Sequence, residues 1–300
     1  MYTYIIVISG PTASGKTQKA VKLCKEYNGE IISCDSRQIY KYLDIGTNKK
    51  GILIDNGIRL INGIKQYLVD IIEPHEYYDA MQYVNNADKC IAHVLKHGKI
   101  PIVTGGCGLY IKALLYGLDH APTKNIYLRN QLYSRSYDEL YTELKSLDPE
   151  AASRTKKNPQ RIVRALEINL LTKKNTKELF KIKNRRYNFI HYHIVTNKDT
   201  LYDRINTRCK NMLDSGMINE TKKVLNMGFK KDSAAMSSLG YKHIVQYLDN
   251  KLSKNDLLRE FSKDTRHYAK RQITWFKKQP DIEFIFENTN IKLHERNQFN

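Results

Sequence analysis

Eight consecutive residues, Gly10-Pro11-Thr12-Ala13-Ser14-Gly15-Lys16-Thr17, fulfil the pattern G-x-x-x-x-G-K-[ST], and their types specify a cradle for a polyphosphate. Glycines let the backbone turn tightly, so that successive N–H groups point at one anion. The positive end of the helix that follows favours the same charge. Lys16 adds a full cation, and Thr17 offers a hydroxyl to a magnesium ion (Mg2+). The bland alternative is a glycine-rich turn without a ligand, and the flanking residues speak against it. An apolar run, Tyr4 to Ile8, feeds the loop as a strand, and the amphipathic stretch from Lys16 to about Tyr27 leaves it as a helix. The chain therefore binds a diphosphate or a triphosphate.

Further residues of this kind follow the apolar runs. A second strand, Glu30 to Ser33, runs into Cys34-Asp35-Ser36-Arg37-Gln38, where Asp35 enters the same cleft as metal ligand, general base or turn cap. Asp70, at the end of a third run (Gln66 to Ile71), is the second choice for a metal carboxylate. A fourth run, Lys99 to Val103, leads into Thr104-Gly105-Gly106-Cys107-Gly108, glycines that permit close backbone approach to a ligand. Arg161 and Arg164 share one face of a helix opened by Gln160, and Val163, Leu166 and Leu170 line another; the arginines could grip phosphates or merely face solvent. From Asp264 to Lys278, helical spacing sets Tyr268, Trp275 and Phe276 on one side. It sets Arg266, Lys270 and Lys277 on the other, flanked by Arg271. Arg204 and Arg208, one turn apart, could reach the anion held by the loop or lie on a helix surface.

These residues need elements to hold them. The first 118 residues alternate strands with helices (Ala80 to His97 is the clearest helix), which implies a parallel sheet with its ligand at the carboxyl edge. After Gly117 the character becomes helical and basic, with expected helices at Ile126 to Leu147 and Gln160 to Leu171. A strand returns at Phe189 to Val195, and helices continue to Lys278. The expected class is α/β, a P-loop NTPase-like parallel sheet core with an inserted helical domain. The core takes residues 1–117 and 188–300, the insertion residues 118–187, and the last dozen residues should fray.

Composition narrows the partners. The 300 residues carry a formal charge of +19, of which residues 121–190 hold 16 basic against 7 acidic side chains and residues 259–278 hold 7 against 2. Two extended basic regions exceed what a nucleotide needs, and a polyanionic macromolecule fits them. A lysine-rich solvated surface is the competing account. Five scattered cysteines read as reduced thiols in a cytoplasmic protein, and no run is long enough for a leader or a membrane span.

Taken in order, these segments resemble the tRNA dimethylallyltransferase family over nearly the whole chain. The resemblance rests on Gly10 to Thr17, on Asp35-Ser36-Arg37-Gln38-Ile39-Tyr40 with Asp44-Ile45-Gly46-Thr47, and on Gly105 to Tyr110. It continues through Gln160-Arg161-Ile162-Val163-Arg164-Ala165-Leu166-Glu167, Leu239-Gly240-Tyr241 and Thr265 to Gln272. It implies that the loop holds the diphosphate of dimethylallyl diphosphate, with Lys16, Arg208 and Mg2+ at Thr17 stabilising the leaving group. It implies that Asp35 takes a proton from the N6 amine of adenine-37, beside the anticodon. It implies too that the anticodon stem-loop of tRNA meets Asp35, Ser36, Arg37, Gln38, Cys107, Thr123, Gln160, Arg161, Ile162, Val163, Arg164, Arg266, Lys270 and Arg271, and that a cytoplasmic monomer suffices. Cys107 stands where the family usually has threonine, and a thiol is the poorer hydrogen-bond partner. The rivals are a small-molecule kinase with the insertion as a lid, an isopentenyltransferase acting on free AMP, and a non-catalytic RNA-binding module. The last would leave Lys16, Thr17 and Asp35 without a purpose.

Overall fold

The computed structural model describes residues 4–117, 122, 124–155, 158–176 and 185–293. The chain divides into two compact units, Met1–Ala113 with Tyr187–Asn300, and Leu114–Arg186.

The first unit is built on β1 (Tyr4–Ser9), β2 (Gly29–Cys34), β6 (Ile100–Gly105) and β7 (Asn188–Val195), parallel neighbours in one eight-stranded sheet. These strands are near-continuous apolar runs because both faces are covered. Ile6, Ile8, Ile31, Ile100 and Ile102 pack with Ala20, Leu23 and Cys24 of α1 (Lys16–Glu26). By the pleat, Ile5, Val7, Ile32 and Val103 turn to the opposite face. Helix α2 (Ala80–Lys96) packs on β2 and β6 and opens with an Asp79/Gln82 capping box.

One edge departs from the expected parallel sheet. The strands β3 (Ile52–Asp55), β4 (Ile58–Ile61) and β5 (Ile64–Tyr67) form an antiparallel meander ahead of β2. The reason is turn chemistry: Asn62 and Gly63 both take positive φ, the pairing that a two-residue hairpin turn requires. The strand expected at Gln66 to Ile71 accordingly ends at Tyr67, and Leu68 and Asp70 turn through positive φ. The other edge gains β8 (Glu283–Phe286), parallel to β7. Beyond it the tail is docked and not frayed as far as Leu293. Ile291 and Leu293 are buried, and Tyr27 Oη donates to Ile291 O while accepting from Leu293 N.

The remaining helices of this unit are α3 (Gly108–Tyr116, which runs past its boundary), α8 (Lys198–Asp214), α9 (Met217–Asn226), α10 (Tyr241–Leu248) and α11 (Lys254–Phe276). The apolar faces of α8, α9, α10 and α11 meet in a second cluster with Ile39, Tyr40 and Leu43.

The second unit is helical, with α4 (Ile126–Tyr133), α5 (Tyr137–Leu147), α6 (Pro149–Thr155) and α7 (Pro159–Thr172) around Leu132, Leu140, Leu144, Ile162 and Leu166. The single helix expected over Ile126 to Leu147 is two, because Ser136 and Glu139 form a capping box that starts a new one.

Candidate active site

The phosphate-binding loop leaves β1 at the carboxyl edge of the sheet. Gly15 caps α1 at φ +83°, no side chain caps this helix, and its first turn holds no acidic residue. Side chains cap α2, α4, α5, α7, α8 and α11, whereas α9 and α10, like α1, open on a glycine without a side-chain cap. Among the described residues no side chain caps the start of α1, an arrangement that an anion can complete. Not every amide of the loop is turned to that purpose. Thr12 N donates to Gln272 Oε1 (2.9 Å), and Ser14 N donates to Pro11 O (3.3 Å).

Three charged groups gather around the loop. Lys16 Nζ donates to Pro11 O at 2.6 Å. Burial pushes its amine down to about 7, the neighbouring Arg208 adds to the fall, and Asp35 opposes it. Burial likewise lowers the Arg208 guanidinium, against the pull of Asp35. Asp35 Oδ1 accepts from Arg37 N (2.8 Å) and Gln38 N (3.4 Å), so the aspartate does cap a turn. Its other oxygen takes no hydrogen bond among the described residues. Lys16, Arg208 and Asp35 form no ion pair with one another there.

The space around them comprises three cavities. One of about 780 Å³ is lined by Ala13 to Gln18, Lys22, Lys50 and Arg208. A second, of about 400 Å³, is lined by Thr12, Asp35, Ser36, Arg37, Arg208, Phe261, Tyr268 and Arg271. A third, of about 80 Å³, takes lining from both: Lys16 and Thr17 from the first, Thr12, Asp35 and Tyr268 from the second. Anion cradle, carboxylate and a partly aromatic chamber therefore share walls.

Some expected residues stand elsewhere. Asp70 is no metal ligand: it is buried and ion-paired to Lys49 and to Arg59 (Nε 2.7 Å). Arg204 is spent on Glu287 (2.6 Å), and only Arg208 of that pair reaches the loop. Ile162 and Val163 are buried in the core of the second unit, so their side chains cannot meet an RNA; Leu170 is exposed instead of core. Gln160 and Arg161 are exposed, whereas Arg164 bonds Glu167 and Pro122 O. Thr123 lies outside the described residues.

On α11 the buried residues are Leu257, Phe261, Ser262, Thr265, Ala269, Gln272 and Phe276. They include three polar residues, which hydropathy does not reveal. Of the aromatics expected inward only Phe276 is fully buried; Trp275 is 39% exposed and Tyr268 lines the second cavity. Arg266 bonds Asn206 (2.6 Å) and lies over Tyr202, while Lys270 and Arg271 are exposed. Gln38 is committed to Thr47 O, Ser33 and Gln66. Burial pushes the Cys107 thiol up to about 11, so it is neutral near pH 7.

Tyr268 and Gln272 also line the small cavity. Neither has a spacing that announces a cleft, and both reach it only because α11 packs behind the loops of β1 and β6.

A family model described as IPP transferase matches residues 38–279. A tRNA dimethylallyltransferase of Endomicrobium trichonymphae is 61% identical over 282 residues, 94% of each chain. One from a Sulfurihydrogenibium species is 41% identical over 97% of this chain and 94% of its own. Among solved structures, a tRNA isopentenylpyrophosphate transferase of Staphylococcus epidermidis aligns with TM-score 0.68 at 34% identity, over 96% of this chain and 95% of its own. A eukaryotic dimethylallyltransferase acting on tRNA aligns with TM-score 0.80 at 27% identity, over 95% and 74%.

Proposed function

The chain belongs to the IPP transferase family, and from that premise we propose that it transfers a dimethylallyl group from dimethylallyl diphosphate to the N6 amine of adenine-37 in tRNA. The observation that carries this reading is the shared wall. Lys16 and Thr17 at the uncapped start of α1, Arg208 and Asp35 all border the same small cavity.

The chemistry follows from these groups. The amine attacks the first prenyl carbon, an N–C bond forms, and the C–O bond to the diphosphate breaks with its electron pair leaving on oxygen. Negative charge grows on the diphosphate as that bond lengthens, and the α1 amides, Lys16 and Arg208 lie where it grows. The proton shed by the amine passes to Asp35, which Arg37 N and Gln38 N already orient. To enter the cavity the adenine leaves its stack, and Tyr268 and Arg271 offer it faces.

Thr17 Oγ1 makes no hydrogen bond among the described residues and lines the same cavity. That hydroxyl would hold a magnesium ion. Such an ion would supply charge neutralisation to the diphosphate. Gln160 and Arg161 would grip phosphates of the anticodon stem-loop. One chain supplies every group named, so the reading asks for a monomer. We place it in the cytoplasm, where its five free thiols stay reduced. No helix among the described residues is long and apolar enough to cross a membrane.

The test supplies labelled dimethylallyl diphosphate, magnesium and unmodified tRNA, with AMP and ATP in parallel. Label on adenine-37 is the expected result. ATP consumption with unlabelled tRNA would replace this reading with a kinase.

A further inference from the structure

Gln272 does something that its place on a buried helix face conceals. Its side chain is 6% exposed, and both ends of its amide are used. Oε1 accepts from Thr12 N in the loop after β1, and Nε2 donates to Gly106 O (3.0 Å) in the loop after β6. The next residue, Cys107, donates its N–H to Cys34 O (3.4 Å), the carbonyl directly before Asp35. One planar amide thus begins a continuous hydrogen-bonded path from the loop that holds the anion to the residue that takes the proton. Gly106 is shaped to this contact, because a Cβ there would collide with Gln272 Nε2.

We infer that Gln272 is a positioning residue for the transfer step, fixing the separation between the leaving diphosphate and Asp35; this rests on the function proposed above. Its side chain lines the small cavity, and both of its bonds go to the loops that flank it. A buried amide suits the task because Oε1 can only accept and Nε2 can only donate, so it cannot be reversed without losing both bonds. The bond to Thr12 N also holds that amide out of the cradle. Misplacement on the order of an ångström between reacting groups is enough to slow a reaction about a hundredfold.

The role separates alignment from binding, and that split is measurable. Gln272→Glu keeps the shape and the acceptor but sets an oxygen against Gly106 O. Gln272→Met keeps the volume and neither bond, and guards against misfolding by a buried carboxylate. Each should lower the single-turnover rate of prenyl transfer about 10- to 100-fold. Affinities for inorganic pyrophosphate and for tRNA, measured separately, should stay within about threefold, well inside the loss of rate. Gly106→Ala should slow transfer in the wild-type background and do less harm beside Gln272→Ala, whose shortened side chain leaves room for the methyl group. Unchanged rates in both single variants would overturn the proposal. So would losses that track pyrophosphate affinity, tRNA affinity or the folded fraction. A wild-type protein that prenylates no tRNA would overturn the proposed function itself, a result visible before any variant is made.

Discussion

Two groups of charged side chains in the first unit are treated in opposite ways. Around the hairpin, Lys49 and Arg59 each bridge Asp44 and Asp70, and Lys49 Nζ also bonds Tyr40 O. Burial works to raise the Asp44 carboxyl, but the bonds from Arg59 and Lys49 hold it below its usual range. Around the phosphate-binding loop, Lys16, Arg208 and Asp35 have the same chemical types; Lys16 and Asp35 bond only backbone groups, and among the described residues the three form no ion pair with one another. A buried charge that its neighbours neutralise serves the fold; one left for an incoming group serves a ligand. The contrast explains why carboxylates following two apolar runs, Asp35 and Asp70, have unrelated jobs.

Exchanging each carboxylate for its amide should split the two groups most sharply. Asp35→Asn keeps the acceptor for Arg37 N and removes the proton acceptor. Transfer should fall about 10²- to 10⁴-fold with stability and tRNA affinity nearly unchanged. Asp70→Asn should do the reverse, costing about 3 kcal/mol in denaturant unfolding as Lys49 and Arg59 lose a buried partner. Folded Asp70→Asn molecules should turn over close to the wild-type rate. Equal behaviour of the two variants would erase the distinction.

Lys16 gives a smaller, pH-dependent effect. Its amine titrates near 7 when folded, against 10.5 as the ordinary value, so between those values the unfolded chain holds a proton that the folded chain lacks. The stability of the unliganded protein should therefore climb with pH across that window. Lys16→Met should raise Tm, by more at pH 6 than at pH 10. Binding of inorganic pyrophosphate at pH 8 should draw in a proton, seen as a calorimetric enthalpy that varies with the buffer. An enthalpy independent of buffer would deny that Lys16 waits partly uncharged.

The smallest effects belong to the second unit. Arg161→Ala should weaken tRNA binding severalfold and flatten its log–log salt slope by about 1. Arg164→Ala should instead lower the unit's stability, because buried Glu167, held by Arg129 and Arg164, loses one of its partners. Matching salt slopes for the two variants would return Arg161 to the solvated surface.

What the sequence made plain was what is local. The cradle from Gly10 to Thr17, its strand and its helix are contiguous, and α2 carries its periodicity and its cap within itself. The place of Asp35 beside the cavity was legible because it directly follows a central strand at the same sheet edge as the loop. The fate of Asp70 was hidden, since Lys49 and Arg59 lie 21 and 11 residues before it and meet it only once the hairpin folds. Asn62-Gly63 did carry the hairpin signal, but the neighbouring apolar run masked it. Gln272 was least legible, with a polar side chain whose partners lie 260 and 166 residues distant.

The docked tail has a consequence for the order in which the molecule can be made. Lys19 Nζ donates to Thr289 O, and Tyr27 Oη bonds residues 291 and 293, so the helix emerging from the loop is clasped by residues synthesised more than 260 positions after it. Strand β1 likewise waits for β7 on one side, and Thr12 waits for Gln272. The loop is thus synthesised well before residues that complete it, and a nascent chain stalled before residue 272 carries Gly10 to Thr17 without the side chain that fixes Thr12 N.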